Sequence, residues 1–202
     1  EVETPWGCWS LSLPLLGRFN VGNILSVIAV LGAMGLSSHQ IQTGLAKIDT
    51  IEGRMQVIAG QNRPTVVVDY AHTPDALEQA LCAVREHFSG RICCVFGCGG
   101  ERDRTKRPLM AKMAERYADQ VIVTSDNSRN EAVSQIFSDI RLGFSNVDNI
   151  VEIENREKAI EYAVQSAKID DIVLLAGKGH EAVVSGGNGQ ISKKDSEVAR
   201  QY

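Results

Sequence analysis

The chain has 202 residues, of which 44% are hydrophobic and 23% charged, with a formal net charge of −4 and a pI of about 5.6. This is globular composition, long enough to bury a core without disulfide staples, and it offers no basic stripe for nucleic acid. The five cysteines (Cys8, Cys82, Cys93, Cys94, Cys98) are odd in number and form no CxxC pair, which fits a reducing cytoplasm better than a secreted disulfide framework.

The chain starts at Glu1 rather than at a methionine, and it is expected to be a fragment lacking its amino-terminal part. "WGCWSLSLPLLGRFN" reads as the end of a β-rich segment. "NVGNILSVIAVLGAMGL" and "SSHQIQTGLAKI" then read as two consecutive helices. The most apolar run, Ile24 to Leu36, has 13 residues, short of the roughly 20 that span a bilayer. It is read as a buried core helix, with no membrane insertion and no signal peptide expected. Asn20 and Asn23 lie three apart, which puts both amides on one helix face. Two readings stay open for them: Asn20 as an N-cap with Asn23 packing, or both as ligands. A domain boundary is expected near Thr50 to Gly53.

From about residue 65 the pattern becomes regular. "TVVVDY" (65–70), "RICCVFG" (91–97), "QVIVTS" (120–125), "NIVEIE" (149–154) and "DIVLLAG" (171–177) are near-continuous apolar runs, as expected of parallel strands buried on both faces. Between them lie helix-length stretches. Thr73-Pro74 supplies an N-cap and a first-turn proline for "DALEQALCAVREHF", and Pro108 is expected to open "LMAKMAERYA". "EAVSQIFSDIRLGF" and "REKAIEYAVQSAK" complete the set, and "SGGNGQ" reads as a turn before a polar tail. Repeated strand–helix alternation predicts an α/β fold: a Rossmann-like, mostly parallel sheet with helices on both faces.

Ligands in such sheets bind beyond the carboxyl ends of the strands. The segments that fall there are "DYAHTP", "GCGGERDRTKR", "SDNSRNE" and "GKGHE". Each has a bland alternative. "ERDRTKR" can be a solvated turn, the Asp and Asn of "DNSR" can be capping groups, and His72 a structural hydrogen bonder. "GKG" lacks the rest of a phosphate loop, and "GCGG" is not a dinucleotide fingerprint. His39, His72, His87 and His180 are scattered, and no metal-ligand cluster is visible.

Taken together and in order, "GRFNVGN", "GRM", "DYAHTPDAL", "FGCGGERDRTKRPLM", "SDNSRNE" and "AGKGHE" resemble the Mur ligases, across nearly the whole chain. The match is to the branch that adds diaminopimelate to UDP-N-acetylmuramoyl-L-alanyl-D-glutamate. "GRFNxxN" alone is shared with the wider superfamily, including folylpolyglutamate synthases. The resemblance implies that residues 1–52 are the tail of a central ATPase domain and 53–202 the carboxy-terminal, amino-acid-binding domain. It implies ATP-dependent amide formation through an acyl phosphate, in bacterial cytoplasmic peptidoglycan synthesis, by a monomer. ATP and magnesium would depend on the missing upstream part, and no catalytic residue or metal ligand falls within this chain.

By motif, Asn20, Asn23, Arg54, Asp69 and His72 would lie around ATP. Arg102, Asp126, Asn127, Ser128, Arg129, Gly177 and Glu181 would lie around meso-diaminopimelate. UDP-N-acetylmuramoyl-dipeptide would be the other substrate. Arg129 would fork onto the distal carboxylate and Glu181 would hold the distal ammonium. The sequence departs from the family's Asp-Asn-Pro-Arg motif at Ser128, which removes a proline that would stiffen the turn. The alternatives are another superfamily amino-acid ligase and a non-catalytic Mur-like binding domain.

Overall fold

The computed structural model describes residues 1–182, 184–185, 190–191 and 193–202. A short hairpin, β1 (Val2–Thr4) and β2 (Gly7–Trp9), precedes α1 (Phe19–Ala33) and α2 (Ser38–Leu45). Ser37 caps α2 through a reciprocal capping box with Gln40. Trp9, Ile24, Ile28, Ile41 and Leu45 form a small core of their own.

The rest is built on a six-stranded sheet of order β3-β4-β8-β5-β6-β7. The strands are β3 (Gln56–Ile58), β4 (Thr65–Asp69), β5 (Ile92–Phe96), β6 (Gln120–Thr124), β7 (Ile150–Ile153) and β8 (Ile172–Ala176). Within this sheet only the β3–β4 pairing is antiparallel. The edge strand β3 was not expected: three residues are too few to show a period. The helices are α3 (Pro74–His87), α4 (Lys106–Tyr117), α5 (Val133–Arg141), α6 (Arg156–Ser166) and α7 (Asp195–Ala199). A two-residue pair, β9 (Val184–Ser185) and β10 (Gln190–Ile191), lies before α7. Residues 186–189, the middle of the expected "SGGNGQ" turn, lie outside the described residues.

Alternation along each strand sends side chains to two cores. Val67, Cys94, Phe96, Val123 and Leu174 pack with α3, α4 and α5, whereas Val66, Val68, Cys93, Val95, Ile122 and Leu175 pack with α6 and α7. All five cysteines are free thiols. Burial pushes the Cys93 and Cys98 thiols up to about 12, so both behave as packing groups rather than nucleophiles.

Two local expectations are corrected, and one of the two open readings of Asn20 falls. Pro108 is the third residue of α4, not its opener; the first-turn amides have no intrahelical acceptor, so proline is tolerated there. Arg18, not Asn20, occupies the N-cap position of α1 and makes no side-chain cap; Asn20 Nδ2 instead donates back to Leu16 O at 2.7 Å. The apolar helix α1 is only half buried. Ile24, Ile28 and Gly32 face the small core, while Leu25, Val27, Val30 and Met34 are 40–70% exposed. No helix among the described residues is long and apolar enough to cross a membrane.

Candidate functional site

The four loaded loops do converge at the carboxyl ends of the parallel strands. Gly177 N donates to Asp69 O at 3.1 Å, joining the β8 and β4 ends. Gly100 N donates to Asn127 O at 2.9 Å, joining the β5 and β6 loops. Two glycines of "GCGG", Gly97 and Gly100, stand against the backbone of the β6 end and its turn. A Cβ at Gly100 would stand 2.0 Å from Ser128 O, closer than any real contact, so only glycine lets the two backbones meet. Gly53 has the same constraint, with φ +68 and His180 N 2.1 Å from where its Cβ would be.

The turn after β6 is held by its own polar groups. Asn127 N donates to Asp126 Oδ1 at 2.6 Å, Arg129 N to Asn127 Oδ1 at 3.3 Å, and Glu131 N to Ser128 O at 3.0 Å. None of these bonds uses the Ser128 hydroxyl or N–H, so the turn is held by its neighbours and not by the serine side chain. Arg129 itself sits in the left-handed region, φ 50. Its Nη1 donates to Gly100 O at 2.7 Å and to Asn127 O at 3.3 Å. Nε and Nη2 make no hydrogen bond among the described residues, so the edge suited to a carboxylate fork stays open. Arg102 is exposed and likewise forms no hydrogen bond or ion pair among the described residues.

The other basic residues of "ERDRTKR" have different fates. Arg107 is fully buried and bridges Glu131 (2.6 and 2.7 Å), Asp139 (2.8 Å) and Gly99 O (3.1 Å). Glu131 Oε2 also accepts from Glu101 N at 3.0 Å. Arg104 forks onto Asp139 at 2.9 and 3.1 Å, and Lys106 Nζ donates to His72 O at 2.7 Å. One buried guanidinium thus ties the β5 loop to the β6 turn, the two segments that carry Arg102 and Arg129. Arg107 lies on the face of α4 that buries Met110, Ala111 and Ala114, but the partners that let a guanidinium be buried there come from other segments.

This network sets a pH response. The Arg107 guanidinium, aided by Glu101 N–H, holds the Glu131 carboxyl at about 2. Arg104, with Arg107, holds Asp139 at about 2. Both values are depressed, so their stabilisation is present above the unfolded carboxylate values of 4.5 and 3.8 and fades as pH falls toward 2. Urea melts of this chain should show a steep loss of stability across that window. Glu131→Gln should flatten the loss, and an unchanged slope would remove Glu131 from its cause.

On the β4 side, Asp69 uses one oxygen to accept Met55 N and the other to accept Ala71 N, each at 2.8 Å. Burial nevertheless raises its pKa. It therefore anchors the backbone, with lone pairs left over for hydroxyl donors. His72 is exposed, its Nδ1 2.9 Å from Tyr70 O. Arg54 lies with its guanidinium 4.2 Å over the Tyr70 ring. Asn23 Nδ2 donates to Asn20 Oδ1 at 3.0 Å, so the two amides do share one face of α1.

On the β8 side, Gly177 has φ +112. Glu181 is exposed and accepts the Tyr70 hydroxyl at 2.9 Å. Lys178 is buried, and burial, with Arg156 adding to it, lowers its pKa to about 8. Tyr70 and Lys178 lie inside motifs that the sequence singled out, yet their contacts are not legible there. Among the described residues no group of three or more His, Cys, Asp or Glu can hold a metal ion.

The profile described as Mur ligase, glutamate ligase domain, matches residues 53–179. The chain is 48% identical over 201 residues to the UDP-N-acetylmuramoyl-L-alanyl-D-glutamate–2,6-diaminopimelate ligase of Coxiella burnetii, a match covering 100% of this chain and 41% of that protein. It is 52% identical over 180 residues to the ligase of the same name from Pseudomonas syringae pv. tomato, covering 89% and 37%. A solved structure of a ligase of that name superposes with a TM-score of 0.71 at 40% identity, covering 98% of this chain and 41% of the other. The UDP-N-acetylmuramate-alanine ligase of Thermotoga maritima shares the fold, with a TM-score of 0.69 at 21% identity over 96% of this chain and 39% of the other. The chain thus spans about two fifths of the length of the Coxiella relative.

Proposed function

The chain belongs to the Mur ligase family, and on that premise we propose that it is the amino-acid-binding part of an ATP-dependent amide ligase. The whole enzyme adds meso-diaminopimelate to UDP-N-acetylmuramoyl-L-alanyl-D-glutamate in bacterial peptidoglycan synthesis, as a cytoplasmic monomer. Residues 53–202 form the amino-acid-binding domain, and residues 1–52 are the tail of the ATP-binding domain.

The observation that carries the substrate assignment is the Arg129 guanidinium. One of its nitrogens is fixed by two carbonyls, and its Nε and Nη2 make no hydrogen bond among the described residues, in the turn that also carries Asp126 and Asn127. Diaminopimelate has two carboxylates and two amines. Arg129 forks onto the distal carboxylate, Asn127 adds an amide hydrogen bond, and Glu181 takes the distal ammonium. Arg102 takes the proximal carboxylate and so aims the proximal amine at the acyl group. Asp126, Ser128 and Gly177 shape the turn and floor. Lysine would leave Arg129 facing a methylene, a mismatch that favours strong discrimination.

For ATP, the donor set is suitable but partial. Asn20 and Asn23 offer amides, Asp69 accepts from ribose hydroxyls, His72 lies beside it, and Arg54 faces the phosphates. ATP converts the D-glutamate side-chain carboxylate into an acyl phosphate, which gives a poor acceptor a good leaving group. The residues of this chain contribute positioning and charge neutralisation to the attack that follows.

The test is phosphate release by the full-length enzyme with its nucleotide-sugar substrate. Release should depend on meso-diaminopimelate; equal or better turnover with lysine would overturn the substrate assignment.

A further inference from the structure

Tyr70 directly follows Asp69 at the carboxyl end of β4, where successive side chains diverge to opposite sides. Asp69 turns to the Met55 and Ala71 amides, whereas Tyr70 is half-buried among polar neighbours. Its hydroxyl donates to Glu181 Oε1 at 2.9 Å. Its ring carries the Arg54 guanidinium at 4.2 Å. The His72 ring meets it edge-on at 4.8 Å, and the His180 ring stacks at 6.2 Å. One side chain therefore touches members of both candidate groups, Arg54 and His72 on the nucleotide side and Glu181 on the amino-acid side.

Glu181 needs such a partner. It is exposed, and among the described residues its backbone is tied only by its own N–H to Lys178 O at 2.9 Å. A free glutamate there would sample many rotamers, and ordering it would weaken ligand binding. The phenol fixes one carboxylate oxygen and leaves the other to accept from a ligand ammonium. The ring face, meanwhile, holds Arg54 by a cation–π contact.

We propose that Tyr70 is a positioning residue that presents the Glu181 carboxylate to the distal ammonium of the amino-acid substrate and, through its ring, sets Arg54 on the nucleotide side. The inference rests on the function proposed above. The two roles belong to different atoms of Tyr70, so they separate by substitution. Tyr70→Phe deletes the hydroxyl and keeps the ring; Tyr70→Ala deletes both.

The contact is tested on this chain with ¹³C-labelled tyrosine. The Glu181 bond raises the pKa of the Tyr70 phenol, so Glu181→Gln should move its titration to lower pH; an unmoved titration overturns the proposal. The role is tested by kinetics of the full-length enzyme. Tyr70→Phe should raise the diaminopimelate KM on the order of tenfold and leave the ATP KM within about twofold. Tyr70→Ala should raise both. An unchanged diaminopimelate KM in Tyr70→Phe, or equal changes in both constants, would overturn it. A wild type that does not turn over diaminopimelate would overturn the functional reading itself, and this inference with it.

Discussion

Arg129→Ala is expected to raise the diaminopimelate KM of the full-length enzyme on the order of 100-fold, with the ATP KM within about twofold. The loss is large because the guanidinium is prepared before the ligand arrives. Nη1 is held by Gly100 O and Asn127 O, and the backbone stands in a left-handed conformation stabilised by the Asn127 side chain. Removing the side chain leaves the distal carboxylate without its cation. Arg129→Lys keeps the charge but loses the fork, so it should fall between wild type and alanine. An unchanged KM in Arg129→Ala would refute the role given to this residue. A fall in kcat alone would move Arg129 from binding to the chemical step.

The second large effect concerns stability. Asp195 and Arg156 are 2% and 7% exposed and form a two-bond fork at 2.9 and 2.6 Å, with Arg156 Nη2 also donating to Ala176 O at 3.0 Å. The pair fastens α7 and α6 under the end of β8, next to the "GKGHE" loop. Asp195→Ala strands a buried guanidinium, and urea melts should show a loss of about 3–5 kcal/mol. The double variant Arg156→Met/Asp195→Leu removes both charges and should lose much less than the single variant. A single-variant loss under about 1 kcal/mol would show that water reaches the guanidinium and offsets the missing carboxylate.

Most of the fold was legible because strand and helix periods are local. Five apolar runs became β4 to β8, and Thr73 caps α3 through Ala76 N as its position suggests. The edge strand β3 was not legible: three residues carry no period, and their pairing with Val66 to Val68 is a contact across a turn. The half-exposed face of α1 was not legible either, because apolar composition says what a helix can bury but not whether a neighbour is there to cover it.

The candidate site divides the same way. The order of loops along the chain already puts Asp69, Arg102, Arg129 and Glu181 after strand ends, since a parallel sheet carries all such ends to one edge. Architecture, edge and the residue types that meet there thus follow from local pattern and strand order. What each side chain is free to do follows from its folded neighbours. Arg107 and Arg102 are five apart in one basic run, yet one is sealed between Glu131 and Asp139, 24 and 32 residues away, while the other stays open to solvent. Nothing in the sequence says why residue 100 is a glycine, and the structure shows that Ser128 O fills the place of its Cβ. The physical reason is the same in each case. Periodicity is set by neighbours in the chain, whereas the partner of a charge or the space beside a backbone is set by residues that only folding brings near.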